Sequence, residues 1–341
     1  MAKIVQFRGH GGAEVLEVVD APEKSPGKNE VTIAVKAFGV QRADIMWREG
    51  RYIQAPNEFP ASLGYDCVGI IDAVGKGVTA FKKGDRVMSL PGFSLNDYTV
   101  YGDQAVVNAD YVLPLPEVDL SWTEFAAIPV PYYTGYFPLL EIANLREAEY
   151  ILVTAASSST GIAAMQFAKA EGVKVIATSR TSAKKEAIMS LGADYFVATE
   201  EEDVVETVRG IVGDRGVDII YDPIGGKMIQ KWYCIIKRGG FIVHYGVLDP
   251  DDETVPQMLA VLNAVTLKTY MIFEFTGNQA LGLAQNKAAL DRANAYINKG
   301  MENGNLKPVL AKVFDLADVA ESHRYMESNQ QVGKIVVRTN Q

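Results

Sequence analysis

Cysteine is scarce in this chain of 341 residues: Cys67 and Cys234 are the only two. No disulfide framework can be built from one pair, and this fits a reducing compartment. Histidine is nearly as rare, with only His10, His244 and His323. No Cys/His spacing resembles a structural zinc site, and the segment FSLNDYTVYGDQAVV from Phe93 holds no cysteine. A catalytic zinc needs three clustered protein ligands, and Cys67 beside Asp66 is too little, so metal-free chemistry is expected. An excess of basic residues is also missing. The net charge is -9, which argues against a nucleic-acid partner, although a local basic patch is compatible with an acidic total. No apolar run reaches the roughly 18 residues of a membrane span. The start, MAKIVQFRGH, has neither the apolar core nor the cleavage pattern of a signal peptide. A cytoplasmic protein without membrane partners is the expectation. No G-x-S-x-G elbow occurs, which leaves a serine hydrolase without support.

What is present is apolar material and glycine. Hydrophobic residues make up 48% of the chain, enough for buried cores, and the length suits two domains. The first third reads as β structure. VTIAVKAFGV from Val31 is strand-like, and short Val/Ile runs punctuated by glycine follow from Gly64, as in a barrel-like antiparallel fold. The character changes near Ser121. From Tyr150 strands and helices alternate: ILVTA, then a helix from Gly161, then KVIATS, then a helix over SAKKEAIMSLG with Ser182 as N-cap. YFVAT, EEDVVETVRGIVG, VDIIYD, KMIQKWYCIIKRG and FIVHYG continue the pattern. These strands are Val/Ile-rich without polar alternation, as when helices cover both faces of a doubly wound parallel sheet. The fold class is therefore α/β. Towards the end TYMIFEF reads as a strand, Lys287 to Met301 as a helix, DLADVAESHRYMES as a helix capped by Asp315, and GKIVVRT as a strand.

The turn after ILVTA is the first candidate site. A strand, a tight loop of small residues and a helix N-terminus aim backbone N–H groups and the helix dipole at an anion. Here the loop is Ser157, Ser158, Ser159, Thr160 and Gly161, with one glycine where the usual fingerprint has three. Alone, such a loop reads equally as an ordinary serine-rich turn; its place in the βαβ order favours a dinucleotide. NAD-binding chains usually carry an acid about 20 residues further on, at the end of the second strand. This strand ends instead in Thr178, Ser179, Arg180, Thr181 and Ser182, followed by Lys184 and Lys185. Cation and hydroxyls suit the 2′-phosphate of NADPH. The lysines also read as the solvated start of a helix, so Arg180 carries the inference.

Taken together, FGVQRADIMWREGRY from Phe38, the glycine-rich block from Gly64, AIPVPYYTGYFPL from Ala127, the strand-loop-helix with Gln166 and Lys169, DPIGG and RGGFIVHYG form a wider pattern. Over essentially its whole length the chain resembles the zinc-independent quinone oxidoreductases, the zeta-crystallin-like branch of the medium-chain dehydrogenase/reductases. Gln41 and Tyr65 stand where zinc-dependent relatives carry metal ligands, and Asp66 where many members have Glu. The chain departs from the pattern at Ser158 and Ser159, which replace loop glycines, at Gln41, which replaces an Asn, and in VATEEED, which lacks a tyrosine some members place near the adenosine phosphate.

The resemblance implies a GroES-like, mostly antiparallel β catalytic domain over 1–124 and 267–341, and a Rossmann NADPH-binding domain over 125–266. It implies a nicotinamide near Thr134, Tyr245, Gly246 and Phe273, and a homodimer in which LKTYMIFEF extends the sheet across a two-fold axis. The implied activity is hydride transfer from NADPH to a quinone or another α,β-unsaturated carbonyl. Gln41, as an amide donor, and Tyr52, as a hydroxyl donor, are the candidates to stabilise the developing oxygen charge. Tyr52 reads equally as a cover for the cleft, and Asp44 as a support for the turn that carries Gln41. Tyr132 and Tyr133 either line the pocket or pack at the domain junction. His244 and Cys67 read as structural. An enoyl-thioester reductase and a cofactor-binding protein with little catalysis are the alternative functions.

Replacing Arg180 with alanine is expected to raise the KM for NADPH far more than that for NADH. Steady-state kinetics with both nucleotides checks this, and equal effects would remove the assignment.

Overall fold

The Val/Ile runs of the middle of the chain are strands with no face left for water. A computed structural model describes residues 1–249, 251 and 254–339. Two compact units are present. The first comprises Met1–Val130, Phe273–Leu290 and Pro308–Gln341; the second comprises Pro131–Ile272 and Asp291–Lys307.

Among the described residues, the second unit holds a six-stranded parallel sheet. Its order is Tyr195–Ala198, Lys174–Ser179, Tyr150–Val153, Val217–Asp222, Ile236–His244 and Thr266–Thr269. The chain starts in the centre, winds outward to one edge, then returns and winds to the other. Leu152, Ile176, Val197, Ile220 and Ile242 of these strands form one buried cluster with Trp232 and Ile235 of the Met228–Ile235 helix. Each such side chain contributes about 1.5–3 kcal/mol of apolar burial, which explains the absence of polar alternation. The winding reverses between the Tyr150 and Val217 strands. In sheets of this kind the crevice beyond their carboxyl ends takes the ligand.

Local expectations fail at four places. Ser182 does not cap a helix: a 3-10 turn over Ser182–Lys184 intervenes, and the α-helix is only Lys185–Ser190. Asp315 precedes another 3-10 turn, and its carboxylate takes a hydrogen bond from Arg338 Nε instead of capping. TYMIFEF is not one strand, because Thr266–Thr269 ends the sheet and Phe273–Thr276 is a helical turn. The tail is also divided differently, with residues 291–307 in the second unit. Polar bonds hold them there. Arg292 pairs with Glu141 at 2.6 Å, Tyr296 donates to Glu171 at 2.6 Å, and Gln166 exchanges two 2.9 Å bonds with the Lys307 backbone. Among the described residues no helix is long and apolar enough to cross a membrane.

The first unit is built on a mostly antiparallel sheet. Its central strand, Glu30–Gly39, pairs with Cys67–Val74, Gln104–Asn108 and Lys334–Arg338. Where these strands meet, the core is charged. Asp44, Asp66 and Lys334 are all essentially without exposure. Lys334 Nζ lies 3.5 Å from Asp66, and Asp44 accepts from the Gln41 amide and the Tyr101 hydroxyl, each at 2.8 Å. Gly39 makes room for the cluster: a Cβ there would lie 2.4 Å from Lys334 Cε and 2.9 Å from Asp66 Oδ2. Two carboxylates against one ammonium would bury a net negative charge, which is costly at low dielectric. Burial accordingly raises Asp44 to about 7, with Asp66 nearby adding to the rise.

The folded state therefore binds a proton at Asp44 that the unfolded chain has already released at its ordinary value near 3.8. Stability from this group is present at low pH and is lost as pH climbs from about 4 to about 7. Replacing Asp44 with asparagine is expected to remove that slope, at most about 1.4 kcal/mol per pH unit. Urea unfolding of both proteins across the window measures it. A constant difference between them would mean that Asp44 titrates normally.

Candidate active site

The Tyr150–Val153 strand feeds a turn in which Ala155 adopts φ 45°. That is the left-handed region, costing an alanine roughly 1–2 kcal/mol. Alanine here makes the tight turn for which the dinucleotide fingerprint uses its first glycine. The Ser159–Ala170 helix follows, capped by Ser158, whose hydroxyl accepts from the Gly161 amide at 3.0 Å. Gly161 is fixed by close approach: a Cβ on it would lie 2.9 Å from the Ala155 carbonyl oxygen and 3.1 Å from Ser158 Oγ. The amides of Ser159 and Thr160 open the helix and have no acceptor within it. Lys184 crosses from beyond the second strand and donates to Ser157 Oγ at 3.2 Å. The structure thus gathers Ser157, Ser158, Ser159, Thr160, Gly161 and Lys184 around one turn at the start of a helix. Ser158 acts in it as a cap.

Ser179 ends the second strand, its carbonyl accepting from Thr199 at 2.9 Å, and the side chain of Arg180 is exposed. On the other side of the reversal point, Asp222 closes the Val217–Asp222 strand and is completely buried. Its carboxylate takes the Thr154 hydroxyl, the amides of Ile224 and Gly225 at 3.1 Å, and the Trp232 indole at 3.1 Å. His244 Nδ1 lies 3.8 Å away. The DPIGG turn is thereby fixed against the end of the first strand. Tyr245 follows on, stacked on Tyr221 with ring centroids 4.0 Å apart, its buried hydroxyl close to Thr160 and Ser158 but without a hydrogen-bond partner among the described residues. Tyr221 donates in turn to the Thr134 carbonyl at 3.5 Å, and Gly246 lies against Pro223. Thr134, Tyr245 and Gly246 are thus assembled beside the serine loop. Tyr132 and Tyr133 are both buried, donating to Gln166 at 2.8 Å and Asn294 at 2.9 Å, so both pack.

In the first unit the role expected of Gln41 changes. Its amide nitrogen is held by both Asp66 oxygens, at 2.8 and 2.9 Å, so that donor is already committed inside the buried cluster. Tyr52 lies in the same unit, among aromatic rings. Its ring lies edge-on to Trp47 and 6.2 Å from that of Tyr65. Burial pushes its phenol up to about 12. Sequence reasoning missed Tyr65 as the aromatic neighbour of Tyr52, although its place beside Asp66 was a usable signal. Phe273 packs within this unit, its ring 5.7 Å from that of Tyr65.

Residues 27–117 match the family model described as an alcohol dehydrogenase GroES-like domain, and residues 159–286 match the model described as a zinc-binding dehydrogenase. The residues present do not fit a zinc ion. Gln41 and Tyr65 offer an amide and a phenol, Asp66 is engaged by Lys334 and Gln41, and no group of three or more His, Cys, Asp or Glu among the described residues could hold a metal. The quinone oxidoreductase of Homo sapiens is 30% identical over 344 residues, covering 99% of this chain and 98% of its own. The crystal structure of Escherichia coli quinone oxidoreductase complexed with NADPH has a TM-score of 0.87 at 26% identity, covering 98% of this chain and 99% of that one. A crystal structure of an NAD-dependent alcohol dehydrogenase has a TM-score of 0.85 at 29% identity, covering 98% and 99%. With its doubly wound sheet, its antiparallel unit and similarity running from end to end, this chain belongs to the quinone oxidoreductase branch of the medium-chain dehydrogenase/reductase superfamily.

Proposed function

We propose that the chain binds NADPH on the second unit and reduces a quinone or another α,β-unsaturated carbonyl. The observation that carries this is the serine loop at the reversal point of the sheet. Gly161 leaves no room for a side chain, Ser158 caps the helix, and Lys184 reaches Ser157 from beyond the neighbouring strand. Backbone and ammonium there suit a pyrophosphate. Ser179 and Arg180 suit the 2′-phosphate, and Thr134, Tyr245 and Gly246 the nicotinamide end. NADPH bound in the E. coli relative supports the same reading.

Bound NADPH would supply the hydride. The chain's own contribution is to orient the substrate and to meet the negative charge that develops on its oxygen. Tyr52 is the hydrogen-bond donor assigned to that oxygen, its phenol held protonated at neutral pH by burial. Loss of one such donor typically costs about 10²–10³ in kcat. Gln41 acts by positioning Asp66 and the turn that carries Asp44.

We also propose a homodimer formed at the Thr266–Thr269 edge of the sheet. This strand pairs with Ile236–His244 and stands last in the sheet order. Beside it the Gln257–Leu262 helix exposes Met258, Val261 and Leu262, with Val261 at 76%, and Val247 and Leu248 are exposed just upstream. Exposed apolar side chains near a strand that ends the sheet among the described residues favour being covered.

NADPH oxidation against a panel of ortho- and para-quinones, enones and enoyl thioesters tests the activity. Quinones or enones are expected to turn over fastest, and Tyr52→Phe to lower kcat on them about 10²-fold. Faster turnover of enoyl thioesters would replace the substrate class, and NADPH binding without turnover would favour a binding protein. Analytical ultracentrifugation is expected to show a dimer for the parent and a monomer for Val261→Glu. A monomeric parent would remove the dimer.

A further inference from the structure

The sequence places no acid at the end of the second strand, but the fold brings one from the third. Tyr195–Ala198 pairs in parallel with Lys174–Ser179, with Ser179 opposite Ala198. Past that strand the backbone continues along the same edge: the Thr199 amide bonds the Ser179 carbonyl and the Glu200 amide the Arg180 carbonyl, both at 2.9 Å. Glu200, Glu201, Glu202 and Asp203 follow, and they divide their tasks. Glu202 accepts from the Ala198 amide at 2.8 Å, and Asp203 caps the Val204–Val212 helix through the Val205 and Glu206 amides. Both serve their own turn. Glu201 reaches across instead, and its carboxylate accepts from the Ser182 amide at 3.1 Å.

Ser182 lies two residues beyond Arg180, within the segment that ends in Lys184, the residue bonded to the phosphate loop. This is where the adenosine ribose of a bound dinucleotide would lie. A carboxylate at that place accepts a hydrogen bond from a ribose 2′-hydroxyl and repels a 2′-phosphate. We infer that Glu201 is a specificity-determining residue for the cofactor: it favours NADH and opposes NADPH, against Arg180, so that the chain accepts both nucleotides. The inference rests on the dinucleotide reading of the serine loop. It gives the acidic run after the third strand a function beyond solvation.

Equilibrium binding of NADPH and NADH to the full chain, followed by nucleotide fluorescence for the parent and Glu201→Gln, tests it without relying on turnover. Glu201 is exposed, so the variant should fold normally. The parent is expected to bind both nucleotides. The variant is expected to bind NADPH about three- to tenfold more tightly and NADH more weakly, with the gain for NADPH shrinking at high salt. If both affinities move together, or neither moves, the inference is overturned while the dinucleotide reading stands. If the parent binds neither nucleotide, the dinucleotide reading falls and the inference falls with it.

Discussion

The second unit depends on one buried carboxylate. Asp222 stands at the carboxyl end of the strand beside the reversal point, and it is the acceptor shared by the end of the first strand, the DPIGG turn and the Met228–Ile235 helix. Thr154, Ile224, Gly225 and Trp232 approach from different directions, so their relative placement is set by a single group. A carboxylate this deep is tolerable only because its oxygens are met by donors. Tyr245 follows the adjacent strand and stacks on Tyr221, which directly precedes Asp222, so the aromatic wall beside the serine loop takes its position from the same place. The loop, the wall and the sheet edge thus share an anchor that is no part of the chemistry.

The first unit solves a different problem. It carries an amide and a phenol at Gln41 and Tyr65, and the buried charge around them is balanced internally. Lys334 arrives from the C-terminal strand to meet Asp66, Gln41 closes the other side, and Asp44 sheds its charge by holding a proton. The cluster leaves Tyr52 and Tyr65 as the polar groups of an aromatic region that includes Trp47, Phe93 and Phe273.

Much of this was legible in the sequence where the determinant was local. The Val/Ile runs gave the parallel strands because burial on both faces suppresses polar alternation, and the loop from Ser157 to Gly161 was recognisable from the strand before it and the helix after it. The misses are long-range. Gln41 meets Asp66 across 25 residues, so its commitment as a donor was invisible from its neighbours. The Asp291–Lys307 stretch looked like part of the tail because its attachment runs through Glu141, Gln166 and Glu171, far away in the chain. Ser182 looked like a cap because caps are read from composition, while its amide is used by an acid from another strand. Ala155 in the left-handed region could not have been read from an alanine at all.

The serine loop has a consequence for binding energetics as well as for recognition. Glycine is the residue that loses most backbone freedom on folding, and a loop of three glycines must be ordered either by the fold or by its ligand. Here Ser158 bonds the Gly161 amide, and Lys184 ties Ser157 from the far side of the neighbouring strand, so the turn is held by its own side chains. A nucleotide arriving at this edge meets a surface whose shape is already set, and little of its interaction energy goes into ordering the protein. The same ties make the loop poor at adjusting to a differently shaped phosphate group. In this chain, tolerance has moved from the backbone of the loop to the exposed side chains around it.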